Sequence, residues 1–232
     1  MASLEFESAL PAAPSSAVLS QLRVAIVHHW FIHPGGAERV IEALGNLLPQ
    51  ADLFTLLLRP GGLPPSLASH NITTSFLQHL PGGWRLYHKL LPLYPLALEQ
   101  FDLDKYDLVI SSESGPAKGV LTRASTLHIC YCNTPMRYLW EMTHDYSRRL
   151  GGGILGKSIY ALFAHYIRQW DYASSARVDH FVAGSHNSAR RIWKTYRRRA
   201  HVIHSPVQVL PITPPRSFAW RLLSGCIPPG AL

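Results

Sequence analysis

A strand, a pair of glycines and a helix follow one another near the start of this chain. Residues 23–30 are an apolar run typical of a buried strand, Gly35 and Gly36 fall in a predicted tight turn, and residues 37–44 have the composition of a helix. Because glycine has no Cβ, a ligand can approach the backbone N–H groups at the start of such a helix, where partial positive charge accumulates. The segment therefore predicts an anion site, commonly for a phosphate. A tight turn without a ligand is the alternative.

Strand-like segments continue to alternate with helix-like segments along the chain. The further predicted strands are residues 51–58, 72–77, 106–112, 127–132, 180–185 and 200–204. This order predicts an α/β fold, a Rossmann-like parallel sheet with helices on both faces. Ligands of such sheets bind beyond the carboxyl ends of the strands, so side chains at those ends are the candidates for a site.

The helical segments between these strands differ in character. Residues 84–98 are predicted to be helical with interruptions at Pro92 and Pro95, and residues 186–196 form a basic helix. A further helix carries one apolar stripe, predicted to pack on the core, made of Ile159, Leu162, Phe163, Tyr166, Ile167 and Trp170. Its aromatic residues are interpreted as packing rather than ligand contacts.

Composition narrows the class of protein. The 232 residues are 47% hydrophobic and 16% charged, which is typical of a globular domain with a sizeable core. The net charge of +8 favours acidic partners such as nucleotides, phosphorylated lipids, an anionic membrane face or nucleic acid. Charge does not choose among them, but the chain has no recognisable nucleic-acid-binding module, so nucleic acid is not a predicted partner.

The cysteines indicate the cellular compartment, and the two terminal segments indicate the bounds of the domain. Cys130, Cys132 and Cys226 do not make a disulfide framework, which favours a reducing, cytoplasmic compartment. Residues 1–21 are rich in Ala, Ser and Pro without a basic start, and they predict a disordered leader rather than a signal peptide. No apolar run is long enough to span a bilayer. We expect one domain over residues 22–207 and a Pro-rich irregular tail over residues 208–232.

Polar residues follow the first and fifth predicted strands. His28 and His29 end the first strand, and one of them should face the ligand crevice, where histidine can donate to a sugar hydroxyl or move a proton. Asn133, Thr134 and Arg137 follow the fifth strand, and Arg137 could hold a phosphate or carboxylate with two hydrogen bonds. The alternatives are a structural histidine and an exposed ion pair of Arg137.

Two other patterns suggest ligands that we do not predict. His128, Cys130 and Cys132 alternate along one strand and share a face, as metal ligands can, but residues on one strand rarely converge on one ion. We interpret them as buried structural residues. The glycine pair also departs from the GxGxxG pattern, and Arg59 follows the second strand where a dinucleotide site needs an acid.

A run of six cations covers the basic helix and its exit. It comprises Arg190, Arg191, Lys194, Arg197, Arg198 and Arg199. Such a run could attract anionic lipid head groups, for example in a peripheral attachment at the inner face of the plasma membrane, or nucleic acid. A solvated basic face without a partner is the alternative.

The succession of motifs resembles the N-terminal domain of bacterial family 4 glycosyltransferases. The similarity covers residues 22 to about 207 and is carried, in order, by residues 24–30, 35–40, 90–95, 99–103, 106–112, 117–120, 128–138, 177–181 and 189–192. The resemblance implies one half of a GT-B fold, in which two Rossmann-like domains face each other across a cleft. The N-terminal domain shapes the acceptor side, and the C-terminal domain binds most of the nucleotide-sugar donor.

The resemblance also implies an activity and roles for particular residues. Family members transfer sugar with retention of anomeric configuration and need no metal or other cofactor. Gly35 and Gly36 would approach the donor diphosphate, while His28, Asn133, Thr134 and Arg137 would line the acceptor and sugar region. Asn133 and His29 depart from the His and Asp that many relatives carry, so proton handling is not implied at either position.

The C-terminal half of the family pattern has no counterpart in this sequence. The expectation is therefore a truncated transferase for cell-envelope or polysaccharide assembly, inactive alone, whose partners are a weakly bound nucleotide-sugar and a glycan or lipid-linked acceptor. A non-catalytic module that binds phosphorylated or lipid-linked glycans is the alternative.

Overall fold

A seven-stranded, entirely parallel sheet organises the chain in a computed structural model that describes residues 16–33, 35–149 and 153–207. The strands are β1 (Val24–Phe31), β2 (Asp52–Leu58), β3 (Ile72–Thr74), β4 (Leu108–Glu113), β5 (Leu127–Cys132), β6 (His180–Ala183) and β7 (Ala200–Val202). Their order across the sheet is β3-β2-β1-β4-β5-β6-β7. The predicted α/β fold with a parallel sheet is confirmed.

Seven α-helices and several short 3-10 turns join these strands within the described residues. The helices are α1 (Ser16–Gln21), α2 (Gly36–Leu47), α3 (Tyr94–Glu99), α4 (Arg137–Trp140), α5 (Thr143–Arg149), α6 (Gly153–Ser174) and α7 (His186–Tyr196). None of the helices in the described ranges is both long and apolar enough to cross a membrane.

Strand β1 is the centre of the hydrophobic core. Ala25 and Val27 pack in one buried cluster, while Val24 and Ile26 pack in another, because successive side chains of a strand point to opposite faces. All four are nearly inaccessible to solvent. A strand buried on both faces explains the continuous apolar run in the sequence.

The strand order places a topological switch point between β1 and β4. From β1 the chain adds β2 and β3 on one side, then returns to add β4 and the later strands on the other side. Crossovers therefore leave in opposite directions at this point, and a crevice forms beyond the carboxyl ends of β1 and β4. In the register of the two strands, His28 lies beside Ser112.

Two predicted segments are shorter or more broken than expected. Strand β3 ends at Thr74 because Ser75 caps a 3-10 turn, Phe76–His79: its hydroxyl accepts from Leu77 N and donates to Leu56 O. The predicted helix over residues 84–98 consists of 3-10 turns followed by α3. Pro92 and Pro95 each lie in the first turn of a helical segment, where the missing N–H costs no hydrogen bond.

The described end of the predicted disordered leader is helical. Helix α1 packs Leu19 against the apolar cluster that contains Val24, and Gln50 Nε2 donates to the Leu19 carbonyl at 2.7 Å. Tertiary contacts therefore order residues whose composition alone predicts no structure. Residues 1–15 of the leader and the predicted tail, residues 208–232, lie outside the described residues.

The apolar stripe predicted for α6 is right for Phe163, Ile167 and Trp170, which pack in or against a buried cluster, and wrong for its other three residues. The buried side of this helix is formed by Tyr160, Ala164, Ile167, Asp171 and Ser174. Ile159, Leu162 and Tyr166, which were expected in the core, are 61%, 73% and 58% exposed. Sequence periodicity could not find the buried face, because two of its members are the polar Asp171 and Ser174.

Candidate active site

The candidate site lies beyond the carboxyl ends of β1 and β4, beside the first turn of α2. His28 is buried, and its Nδ1 lies 3.1 Å from the carbonyl oxygen of Ser112. A carbonyl only accepts, so Nδ1 carries the proton and donates. The other ring nitrogen, Nε2, is left facing Glu38 Oε1 at 3.6 Å. This separation is too long for a hydrogen bond, so Nε2 has no hydrogen-bond partner among the described residues.

Glu38 occupies the start of α2, where a carboxylate is favourable. It is a buried residue of the first turn, and a Cβ at Gly35 would lie 2.9 Å from its Oε2. The carboxylate thus lies against the main chain at Gly35. Part of the predicted anion position is therefore taken by an acid of the chain itself.

The glycine pair allows close approach rather than an unusual backbone conformation. Gly35 is extended, with φ −156°, which other residues also adopt. A Cβ at Gly36 would meet no atom of the described residues within 4 Å. Gly36 therefore leaves open space next to the N–H groups of the 12-residue helix α2, as an anion site requires.

Three buried polar atoms near this point have no hydrogen-bond partner among the described residues. They are His28 Nε2, His29 Nδ1 and Ser112 Oγ. The centroids of the His28 and His29 rings lie 4.4 Å apart, and the ring planes are tilted by 59°. Burial and the neighbouring His28 lower the pKa of His29 well below its usual value, so His29 is neutral. Because buried polar atoms are normally paired, this concentration marks the crevice as a candidate site for a polar ligand.

The residues after β5 reach the same edge of the sheet. Strand β5 is two strands from β1, which corresponds to about 10 Å. Asn133 and Thr134 are half-buried; the Asn133 carbonyl accepts from Ser188 Oγ at 2.6 Å, and Thr134 Oγ1 donates to the Pro135 carbonyl. Both residues therefore follow the carboxyl end of β5, with contacts to α7 and to the following loop.

Arg137 forms an exposed ion pair, which was the alternative to its predicted contact with a ligand. Its side chain is 50% exposed, and its Nε lies 3.6 Å from Glu141 Oε2 one turn along α4. The other oxygen of Glu141 lies 2.8 Å from Arg191 Nε of α7. Arg137 must therefore exchange a surface carboxylate for any ligand anion that it binds.

The structure divides the predicted basic patch. Arg190, Lys194 and Arg197 are exposed on α7 or at its end, and Arg199 is exposed beyond it. Arg198 instead turns inward: it donates to the carbonyls of Ser175, Val178 and Asp179, and its guanidinium lies over the Phe181 ring. These backbone acceptors hold Arg198 between α6 and β6, and its part in the patch stays a prediction.

The buried strand face with one histidine and two cysteines has the structural contacts expected of it. His128 Nε2 accepts from Ser111 Oγ at 2.9 Å, and Nδ1 donates to the Arg177 carbonyl at 3.3 Å. Burial lowers the pKa of His128 to about 4. Cys130 and Cys132 pack in an apolar cluster. In the described ranges, no group of three His, Cys, Asp or Glu residues has the arrangement of a metal site.

Two members of the site were missed at the level of sequence. Glu38 carried a usable signal, since it follows the glycine pair as an acid in the first turn of a predicted helix. Ser112 carried none, because its place opposite His28 depends on the register between β1 and β4. A cavity of ≈ 610 Å³ lies elsewhere, lined by residues of β2, β3, α3 and the loop after α3 that include Phe54, Thr74 and Phe101. Its lining contains none of the predicted site residues.

The sheet and the position of the site define the class of protein. A parallel sheet with a switch point and a glycine-initiated helix after its first strand is a Rossmann-like fold. Residues 34–209, well over half of the chain, match the profile of Glycosyltransferase Family 4. The chain therefore belongs to Glycosyltransferase Family 4.

Comparison of folds gives a similar but distant structure. The chain is similar to the apo form of the lipopolysaccharide outer core galactosyltransferase WaaB, with 13% sequence identity and a TM-score of 0.42. The similarity covers 84% of this chain and 49% of that chain, so this chain spans about half the length of the matched structure. A search of curated protein sequences found no match.

Proposed function

We propose that this domain forms the acceptor side of a retaining glycosyltransferase, which moves a sugar from a nucleotide-sugar to a glycan or lipid-linked acceptor. Family membership supports a nucleotide-sugar donor and a glycan acceptor in general terms. The observation that carries the placement of the site is the cluster of unpaired buried atoms at His28, His29 and Ser112. These atoms can bond sugar hydroxyls: neutral His29 accepts through its free ring nitrogen, and Ser112 Oγ can donate or accept.

The donor diphosphate is proposed to lie against Gly35 and Gly36. The N–H groups of the first turn of α2 would bond its oxygens, and the open space at Gly36 admits it. Glu38 competes for this place because its carboxylate lies at Gly35. Binding of a diphosphate therefore requires the Glu38 side chain to turn away from the start of α2.

The acceptor is proposed to extend from His28 toward Asn133, Thr134 and Arg137. They follow β5, which reaches the same edge of the sheet as β1 and lies about 10 Å from it. Release of Arg137 from Glu141 would supply a cation for a phosphorylated acceptor. A surface ion pair is weak, so this exchange costs little.

Turnover is proposed to require a second domain. Donor binding in the family pattern belongs mostly to a C-terminal domain, and we expect the 232-residue chain alone to bind nucleotide-sugars weakly and to transfer no sugar. The test is to measure turnover of nucleotide-sugars by the purified chain, alone and with the C-terminal domain of a family 4 enzyme. Strong activity of the chain alone would contradict the proposed dependence.

A pair of histidine variants tests the placement of the site. His28→Ala should abolish any transfer seen in the two-domain mixture, whereas His201→Ala, an exposed histidine on β7, should leave it unchanged. Equal activity of the two variants would show that His28 is not part of the site.

A binding module without chemistry is the second candidate function. The exposed Arg190, Lys194 and Arg197 favour it, because they offer cations to a phosphorylated glycan without any catalytic group. Calorimetry with a polyprenyl-phosphate sugar should then give heat of binding that persists in a variant lacking His28. No heat above buffer would exclude this candidate.

A further inference from the structure

The cavity of ≈ 610 Å³ lies on the other face of the sheet from His28. His28 faces helix α2, whose Ile41 packs on one side of the sheet with Ile26. Phe54, in the lining of the cavity, packs instead with Val27 on the opposite side. The volume is within the range of ligand sites, about 300–1,000 Å³. The candidate active site therefore does not account for this cavity.

Aromatic rings form the apolar wall of the cavity. The Phe54 ring lies edge-to-face with two others, at 5.3 Å from the Phe101 centroid and 5.6 Å from the Tyr106 centroid. The half-buried Phe76 adds a fourth ring to the lining. An aromatic face carries negative charge, so it attracts the C–H groups of a sugar ring, which are partly positive.

Two polar side chains of the lining have no hydrogen-bond partner among the described residues. They are Thr73 and Gln100. Thr73 lies beside Phe54 in the register of β2 and β3, so the two side chains share the face on which the cavity lies. Gln100 stands at the end of α3. Both side chains can donate and accept, as hydroxyl groups of a ligand require.

Asp52 gives the cavity a fixed carboxylate. Its Oδ1 accepts from Asn71 Nδ2 at 3.0 Å and its Oδ2 from Tyr106 OH at 2.6 Å. The hydrogen bond from Tyr106 lowers the pKa of Asp52, which is therefore ionised. Asp102 is a second acid of the lining, whereas Lys105 is its one cation and lies 3.5 Å from Asp52 Oδ2. This excess of negative charge disfavours a phosphate or carboxylate ligand.

We propose that the cavity binds one or two rings of a neutral glycan, at a site separate from that of sugar transfer. The aromatic wall would receive the C–H face of a sugar ring, and Thr73 and Gln100 would bond its hydroxyls. A carboxylate has about four acceptor positions, so Asp52 can also accept from a sugar hydroxyl. The proposal goes beyond the proposed sugar transfer and uses none of its site residues.

Ligand-observed NMR titration of the 232-residue chain tests the proposal. The probes are three neutral trisaccharides, maltotriose, cellotriose and mannotriose, together with choline as an organic cation of similar access to aromatic rings. At least one trisaccharide should bind, and choline should not bind at the same place.

Matched variants locate the bound trisaccharide. Gln100→Ala and Thr73→Ala should each weaken its binding about fivefold, because each removes one hydrogen bond. Gln169→Ala, which changes another exposed glutamine on α6, should bind as the unmodified chain does. Circular dichroism checks that the variants are folded, which we expect because all three side chains are exposed.

Three results would overturn the proposal. The first is that none of the trisaccharides binds, or that choline alone does, which would make an organic cation the ligand. The second is that Gln100→Ala and Thr73→Ala bind as tightly as Gln169→Ala. The third is that His28→Ala loses binding while Gln100→Ala keeps it, which would place the glycan in the candidate active site. Because no sugar transfer is measured, failure of the proposed function would not produce any of these results.

Discussion

At the scale of residues, the candidate site depends on which hydrogen bonds and neighbours a few buried polar groups have. His28 donates through Nδ1 to Ser112 and faces Glu38 with its other nitrogen. Glu38 in turn lies against Gly35, where the domain would receive a phosphate. In the proposed site, the acid of the chain and the anion of the ligand would therefore compete for one helix end.

Removing the charge of Glu38 should relieve this competition. Glu38→Gln keeps the shape of the side chain, and we expect a nucleoside diphosphate to bind about fivefold more tightly. Glu42→Gln, one turn further along α2, is the matched control and should bind as the unmodified chain does. Titration calorimetry measures both, and weaker binding by Glu38→Gln would instead assign Glu38 a direct role in holding the ligand.

Buried histidines should make the domain sensitive to acid. The pKa of His128 is lowered from 6.5 to about 4, so between these values the unfolded chain binds a proton that the folded chain does not. The free energy of unfolding should therefore fall as pH drops from about 6.5 toward 4, by up to about 1.4 kcal/mol per pH unit for this residue. The lowered pKa of His29 acts in the same direction.

Urea unfolding at several pH values checks this effect. His128→Gln should be less stable than the unmodified chain near neutral pH but should show a shallower loss of stability in acid. His201→Gln, exposed on β7, should retain the slope of the unmodified chain. A slope unchanged in His128→Gln would contradict the assignment.

At the scale of elements, the hydrophobic pattern of α6 does not determine which side of the helix is buried. Its hydrophobic residues occupy two stripes, and only one of them faces the domain. Gly119 permits the close approach of this helix, because a Cβ there would lie 2.1 Å from the Trp170 ring. Trp170 Nε1 also donates to Glu99 Oε1 at 2.9 Å. Polar contacts and one glycine therefore set the rotation of the helix.

Two alanine substitutions in α6, one on its buried side and one on its exposed side, should differ in their effect on the free energy of unfolding. Ile167→Ala should lower the free energy of unfolding by about 2–5 kcal/mol, since Ile167 is only 1% exposed and its loss leaves a cavity. Leu162→Ala should change it by less than about 0.5 kcal/mol, because that side chain is already in solvent. Denaturant unfolding of both variants measures the difference, and equal losses would contradict the rotation of α6.

At the scale of the whole molecule, one buried charge joins segments that are distant in sequence. Asp171 of α6 accepts from Lys118, from Trp140 Nε1 at 2.7 Å and from Tyr196 OH at 2.9 Å. Lys118 and Asp171 are both fully buried. The loop after β4 and helices α4, α6 and α7 thus meet at one carboxylate.

Breaking this pair should destabilise the entire domain. Asp171→Asn keeps the volume but removes the buried carboxylate charge that pairs with Lys118, and we expect a loss of about 3–5 kcal/mol. Asp104→Asn, which removes an exposed pair with Arg123, should cost less than about 1 kcal/mol. Thermal and urea unfolding compare the two, and a small loss for Asp171→Asn would mean that the network does not support the fold.

Most of the architecture was predictable because it depends on local pattern. β5 begins and ends where its apolar run does, and β1, β2 and β4 differ from prediction by only one or two residues at an end. The motifs around Gly35 and after Cys132 also predicted the family to which the chain belongs. The roles assigned to Gly35, Gly36, His28, Asn133, Thr134 and Arg137 stay predictions.

Sequence by itself determined which segments are strands, their parallel arrangement and the family, since hydrophobic period and turn chemistry act within a few residues. Only the tertiary structure decided that Ser112 lies beside His28, that Glu38 covers Gly35, that Arg198 turns inward and that half of the stripe predicted for α6 faces outward. Each of these depends on strand register, on helix rotation or on hydrogen bonds between distant segments. Such relations exist only after the chain has packed.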